Sequence, residues 1–266
     1  KLSPKHLRPM SERESMKWLE GMRESADRLP AGCHPIFVMD REGDIHEVLA
    51  EARAAGWGVI VRSNYNRRVA GEAAWLRDTV RQQPVAVAYE LTVPRKKGER
   101  PSRETRLEVR RCTVTLTPSC KGAPHRQPVE VGVVLVTEPD PPPDVEGLEW
   151  CLVTTEPVGT AAQAREIAER YTWRWRVEEF HLALKSGCKI ESYQFDHGDR
   201  IGKAVALLSE VALMIVKTTY WARTAPEAPA SELLDEYEIE ALRRRMRGTR
   251  NPMPDGPLTI ADAVRL

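Results

Sequence analysis

Apolar residues recur at two periods along this chain. Trp18, Met22, Ala26 and Leu29 repeat at helical spacing behind Ser11-Glu12-Arg13-Glu14, which has the form of a capping box, and Pro30 closes the segment. The pattern predicts an amphipathic helix over residues 11–29. Ile36-Phe37-Val38-Met39 is a continuous apolar run with β-branched and aromatic members, and it predicts a buried strand that ends on Asp40. Residues 44–55 read as helix, Gly56 punctuates, and Val59-Ile60-Val61 predicts a second buried strand ending on Arg62. Strand, helix and strand in so short a span form a βαβ unit, whose strands lie parallel in one sheet. Ligands of such sheets sit outside the carboxyl ends of the strands, where Asp40 and Arg62 both fall.

Residues 84–155 carry a different pattern. Val85–Val93, Leu107–Leu116, Val129–Val136 and Trp150–Thr154 are short β-rich runs, with Pro139-Asp140-Pro141-Pro142-Pro143 as a loop between the last two. They predict an antiparallel insertion of four strands. From Thr160 to Ser186 the pattern is helical, without Pro or internal Gly. Further helices are predicted over 201–222, mostly apolar, and over 231–247, which ends in Arg243, Arg244, Arg245 and Arg247. The longest apolar run, Ala204–Val216, is interrupted by Ser209 and Glu210. It falls short of the roughly 20 residues of a membrane span and predicts a buried helix of a soluble protein.

Composition narrows the class. Among 266 residues, 40 Lys and Arg face 39 Asp and Glu, so the net charge of +1 excludes a uniformly acidic or basic tail protein and leaves room for a local patch. A hydrophobic content of 41% is enough for a packed core and excludes global disorder. Cys33, Cys112, Cys120, Cys151 and Cys188 are odd in number and scattered, the pattern of reduced cytosolic thiols rather than a disulfide or zinc framework. His34, His46, His125, His181 and His197 never pair at zinc spacing. No Gly-rich phosphate loop and no G-x-S-x-G occurs. Within residues 95–111, eight Lys and Arg meet three Glu, which reads either as a solvated hairpin or as a phosphate-contacting arm. The start at Lys1 and the stop inside the helical pattern Leu258–Leu266 read as cuts in a longer protein.

One charged face stands out. On a continuous helix over 160–186, Tyr171, Arg174, Glu178 and Lys185 fall within an arc of roughly 60°. Trp173, Val177, Phe180 and Leu184 cluster opposite, as a core stripe. The plain reading of such a face is solvation with i,i+4 ion pairs. The outward Tyr, the neighbouring Trp173 and Trp175, and a second carboxylate at the strand end, Asp40, argue for a site.

The spacing Tyr171-x2-Arg174-x3-Glu178-x6-Lys185 resembles the Y-R-E-K signature of bacterial cut-and-paste DDE transposases of the insertion-sequence-four type, the group that includes the transposon-five enzyme. Residues Tyr171–His181 and the segment Asp40-Arg41-Glu42-Gly43-Asp44-Ile45-His46 resemble that family, as do Glu14–Leu19 and Trp150–Val158, in the family's order. The likeness covers most of residues 11–215 and weakens after Ala222. It implies an α/β protein with an RNase H-like catalytic core, incomplete at its N-terminus, an antiparallel β-rich insertion and a helical C-terminal part. The divisions expected are a partial core over 1–83, the insertion over 84–155, the catalytic helix and next core helix over 156–222, and the start of a helical dimerisation region over 223–266.

The resemblance also implies the site. Asp40 matches the second Asp and Glu178 the Glu of a carboxylate triad that holds divalent metal, two Mg²⁺ ions in the intact site, with Mn²⁺ as a substitute. Arg62, Tyr171, Arg174 and Lys185 match residues on the transposon-end phosphates, and Trp150 and Trp175 match aromatics beside a flipped base. Carboxylates suit hard cations, cations on the same face offset phosphate charge, and aromatics compensate lost base stacking. The triad's first Asp has no counterpart, because Asp27 ends a helix and not a strand, and Leu182 stands where the transposon-five enzyme has Lys. The expected activity is metal-dependent phosphodiester hydrolysis and strand transfer at the ends of a transposon, in a bacterial cytoplasm. The expected partners are double-stranded DNA, at transposon ends and target, and a second copy of the chain in a synaptic complex, with no membrane. The chain alone is expected not to cut. The alternatives are a catalytically inactive remnant that binds DNA or full-length protomers, and a generic RNase H-like nuclease.

Overall fold

The computed structural model describes residues 14–71, 74–93, 102–117, 127–246 and 256–265. The chain divides into two compact units, residues 1–174 and 175–266.

The first unit is built on one mixed sheet of six strands, in the order β1-β2-β6-β5-β4-β3. Strand β1 (Ile36–Met39) runs parallel to β2 (Gly58–Arg62), with Met39 beside Val61, and α2 (His46–Ala55) connects them. The βαβ reading thus holds, with the helix starting two residues later than expected. Gly56 ends α2 in the left-handed region (φ 70°), a conformation that glycine adopts without the usual Cβ clash. Strands β3 (Val87–Val93), β4 (Arg103–Leu116), β5 (Val129–Thr137) and β6 (Glu149–Thr154) pair antiparallel in sequence order. They do not form a layer of their own, because β6 pairs with β2, Val153 beside Val61. The four β-rich runs and the βαβ unit therefore share one sheet.

Each face of that sheet buries its own apolar cluster. Alternation along β5 sends Val131, Val133 and Leu135 to one face and Val134 and Val136 to the other. On the first face lie α1 (Met16–Asp27), through Leu19 and Met22, then α2 and α3 (Leu76–Arg81). On the second lies α4 (Ala161–Thr172), whose buried Ala164, Ile167, Ala168 and Tyr171 follow the i, i+3, i+4, i+7 pattern. Helix α4 opens on a capping box: the Gln163 N–H donates to the Thr160 hydroxyl (3.2 Å), and the Thr160 N–H to the Gln163 side-chain oxygen (3.0 Å). Helix α1 is shorter than the span expected, Leu29 is exposed beyond it, and Ser11 lies outside the described residues.

The helix expected over 160–186 is interrupted. Helix α4 stops at Thr172, the N–H groups of Trp173 and Arg174 bond three residues back, and α5 (Trp175–Leu182) starts afresh. A turn of π-helix, Ala183–Gly187, follows it. The expected core stripe fails with the phase: Trp173 is 63% exposed and Val177 is exposed, whereas Tyr171, expected to face outward, is 6% exposed. The buried stripe of α4 fixes that phase, and Tyr171 completes it.

The second unit contains α5, α6 (Gly198–Thr224), α7 (Glu236–Met246) and α8 (Ile260–Arg265). Leu258 and Ile260 pack with Ala230 into a small core, tied by the Ala230 N–H to Leu258 oxygen bond (2.7 Å). Helix α6 is not the buried helix its composition suggests: only Ala212 is buried, and Leu207 is 69% exposed. Arg247, expected to close the third C-terminal helix, lies outside the described residues. Among the described residues, no helix is long and apolar enough to cross a membrane.

Candidate active site

The site begins where β1 ends. Asp40 follows Met39 and caps the short helical turn Arg41–Gly43, its Oδ1 accepting the Glu42 N–H at 2.8 Å. Gly43 is required there, since a Cβ would stand 2.7 Å from Met39 Cβ and Sδ. Asp40 is partly buried. Arg62, the last residue of β2, is half-buried, and its Nη2 donates to the Glu149 backbone oxygen at 3.0 Å. The parallel register thus sets Asp40 and Arg62 side by side, one residue past the Met39–Val61 pair.

Tyr171 comes to the same place from the last turn of α4. Its ring lies 5.8 Å from that of Trp150 on β6, inclined at 57°. Burial raises the pKa of its hydroxyl. The positive charges of Arg62 and Arg174 and a hydrogen bond from Arg174 oppose the rise, and the Asp40 carboxylate adds to it. Arg62 is shifted downward, first by burial and next by the like charge of Arg41, with Arg77 and Arg174 adding to the effect and Tyr171 acting against it. Around Arg62 and Tyr171 the guanidinium groups of Arg41, Arg62, Arg77 and Arg174 therefore outnumber the Asp40 carboxylate, and the mouth of the sheet is positive. Charge of this density favours an anion with several oxygens, of which a phosphate is the simplest.

Of the residues singled out from the sequence, the first unit gathers Asp40, Arg62, Trp150, Tyr171 and Arg174. Arg41 and Arg77 join them without having been anticipated. Arg41 adjoins Asp40 and could have been read with it, but Arg77 lies on α3, far from Arg62 along the chain, with no periodic signal linking them.

Trp175, Glu178 and Lys185 belong to the second unit. Trp175 opens α5 and is exposed, and Glu178 lies in the first turn of α5. Lys185 sits in the π-helical turn and pairs with Glu191 at 2.9 Å, which holds its pKa above the usual lysine value. Among the described residues, no group of three or more His, Cys, Asp or Glu side chains is placed to hold one metal ion.

The basic stretch at 95–111 is partly internal. Arg103 pairs with Glu138, Arg110 with Glu108 at 3.2 Å, and Arg111 donates to the Val158 oxygen at 2.8 Å. Arg106 is exposed, and Arg95, Lys96, Lys97 and Arg100 lie outside the described residues.

A strand-end carboxylate beside several arginines stands on a mixed α/β framework, and a family model matches the chain. The model is that of the transposase DDE domain, it matches residues 14–210, and the chain belongs to that family.

Proposed function

We propose that the chain supplies catalytic and DNA-binding residues of a transposase of the insertion-sequence-four type, acting on phosphodiesters at transposon ends. Membership of the transposase DDE domain family gives it a role in DNA transposition. The observation that carries the finer reading is the convergence of Arg62, Tyr171 and Arg174 on Asp40 at the carboxyl ends of parallel strands. Those are four of the positions carried over from the family resemblance, and they meet from three separate elements. The reading includes an RNase H-like core around β1-α2-β2 with β3–β6 as its insertion, and Y-R-E-K residues on α4, the turn after it, α5 and the following π-helical turn.

In this reading Arg62 and Arg174 grip the backbone phosphates of the transposon end. Tyr171 joins them on the phosphates, and Trp150 and Trp175 correspond, in the family resemblance, to aromatics beside an unstacked base. Lys185 offsets the charge of the strand beyond. In the family resemblance Asp40 and Glu178 are the hard oxygen donors that would hold Mg²⁺ or Mn²⁺. When bound, such ions activate the attacking oxygen and stabilise the leaving one in an in-line displacement at phosphorus. The working form is a pair of chains on DNA in a bacterial cytoplasm, without a membrane.

A second reading follows from the carboxylate count. Asp40 and Glu178 fill two of the three triad positions, so the 266-residue chain by itself binds DNA without cutting it. Both readings share the phosphate site. Replacing Arg174 with Ala is expected to weaken binding to duplex DNA and to reduce the slope of log K against log salt by about 0.9. A fluorescence-anisotropy titration across several salt concentrations measures it, and an unchanged slope would remove Arg174 from the phosphate contacts.

A further inference from the structure

Many arginines of the first unit have a carboxylate of their own. Arg23 pairs with Glu51 at 2.5 Å, Arg81 with Glu149 at 2.7 Å and Arg165 with Glu169 at 2.7 Å. The arginines at the exits of β1 and β2 differ: among the described residues, no carboxylate pairs with Arg41, Arg62 or Arg77. Arg62 engages the Glu149 backbone oxygen, and Arg77 Nη2 donates to the Ser63 backbone oxygen at 3.2 Å. The Nε of Arg77 is buried and has no hydrogen-bond partner among the described residues. Two acids nearby are already taken. Asp44 Oδ1 accepts Arg67 Nη1 and its Oδ2 accepts the N–H groups of Asn64 (2.7 Å) and Tyr65 (3.2 Å), while the Glu149 carboxylate belongs to Arg81.

The three charges reach the strand ends from different directions. Along β2, Val59 and Val61 belong to the first face of the sheet and Ile60 to the second, so alternation sends Arg62 to the face that α4 covers. Arg77 stands on α3, which packs on the first face through Leu76 and Val80, and it meets the chain just past β2 at Ser63. Arg41 is exposed in the turn past β1. The like charges of Arg41 and Arg77 both help to push the Arg62 pKa down. Positive charge thus runs from the α4 side, over the ends of β1 and β2, to the α3 side. A backbone carbonyl is a dipole and cancels no net charge, so these guanidinium groups keep theirs for an anion, and a half-buried charge is most stable when paired. A chain with a phosphate at every nucleotide matches a track spread over two faces of a sheet better than one small anion does.

We propose that Arg41 and Arg77 bind backbone phosphates of DNA, extending the contacts of Arg62 and Arg174 across the strand ends to α3. The inference rests on the reading of Arg62 and Arg174 as phosphate contacts and lengthens that surface by two positions. The family resemblance assigns neither residue, and their placement at the β1 and β2 exits is what joins them to it.

The test is a fluorescence-anisotropy titration of the 266-residue chain with a labelled duplex of arbitrary sequence at several salt concentrations. Wild type is compared with Arg41→Gln, Arg77→Gln, Arg77→Lys, Arg174→Ala and Arg28→Gln. Arg28 is the exposed residue that ends α1, whose other end reaches the β1 exit through the Lys17–Glu42 pair (3.3 Å). Arg28→Gln therefore removes the same charge away from the strand ends. Arg41→Gln and Arg77→Gln are each expected to weaken binding and to lower the slope of log K against log salt by about 0.9. Arg77→Lys should keep the wild-type slope, because lysine meets a phosphate as a point charge, and Arg28→Gln should keep it as well. Arg41 is exposed, so Arg41→Gln serves if Arg77→Gln does not fold. Wild-type slopes in the folded Arg41 and Arg77 variants, beside a reduced slope in Arg174→Ala, overturn this inference and leave the phosphate reading of Arg174 standing. An equal drop in Arg28→Gln overturns it too, since loss of net charge would then explain the effect. If Arg174→Ala also keeps the wild-type slope, the phosphate reading of the site falls, and this inference falls with it.

Discussion

Purified 266-residue chain, incubated with a transposon-end duplex and Mg²⁺ or Mn²⁺, is expected to leave the DNA uncut. In-line displacement with two ions about 4 Å apart needs a ligand shared between them. The family resemblance supplies Asp40 and Glu178 and no third carboxylate. Small divalent cations shed water reluctantly and need a fixed oxygen cage. Disturbing an outer partner of a metal ligand already costs up to about 100-fold, so lacking a ligand outright costs more. The measurement is a gel assay for nicked duplex over many hours, with Glu178→Ala as control. Nicking that vanishes in the control would overturn the expectation and show that another residue completes the triad. DNA retarded but uncut is the outcome expected.

The second large effect concerns stability in acid. Glu138, at the end of β5, is buried and holds together the loop that leads to β6. It accepts from both terminal nitrogens of Arg103, from the Thr105 hydroxyl at 2.6 Å and from the Leu148 N–H at 3.0 Å. Chiefly through the Arg103 hydrogen bonds, and against its own burial, the carboxyl is pulled down to about 2. A folded value below the unfolded value means stability that is fully present above about pH 4.3 and is lost as pH falls through about 2. The shift corresponds to roughly 3 kcal/mol. Glu138→Gln should therefore lower the stability of the first unit by about 3 kcal/mol at neutral pH, since it leaves Arg103 half-buried without its anion. It should also flatten the loss of stability between about pH 4 and pH 2. Urea denaturation at a series of pH values reads both. A variant as stable as wild type at pH 7, with an unchanged acid limb, would show that the cluster contributes nothing net.

Part of the first unit was legible from the sequence because several of its strands are written as runs rich in apolar residues. Ile36–Met39, Val59–Val61 and Val129–Val136 bury side chains on both faces, so a one-residue error in register would not have hidden them. Asp40 and Arg62 followed from those strand ends. The break after Thr172 was not legible, since neither Pro nor Gly marks it and every residue from Thr172 to Trp175 is compatible with a helix. Choosing Trp173 as a core residue then set the wrong phase, although Ala164, Ile167 and Ala168 already carried the right one. The buried ion pair of Asp44 with Arg67 and the influence of Arg77 on Arg62 depend on how two loops meet in space, and no spacing along the chain encodes that.

The pairing of β2 with β6 bears on the order of folding. Strands β3 to β6 pair antiparallel in sequence order, so their contacts close shorter stretches of chain than the β2–β6 pair does and form at smaller entropic cost. The Ile60–Thr154 pair instead joins segments with the whole meander between them. Contacts of such long range come late when local ones are available. The meander is thus the natural nucleus, and β1-α2-β2 docks on its finished edge. Substitutions around Asp40 and Arg62 should then hasten unfolding and barely slow refolding, while substitutions in β4 and β5 govern how fast the chain folds at all.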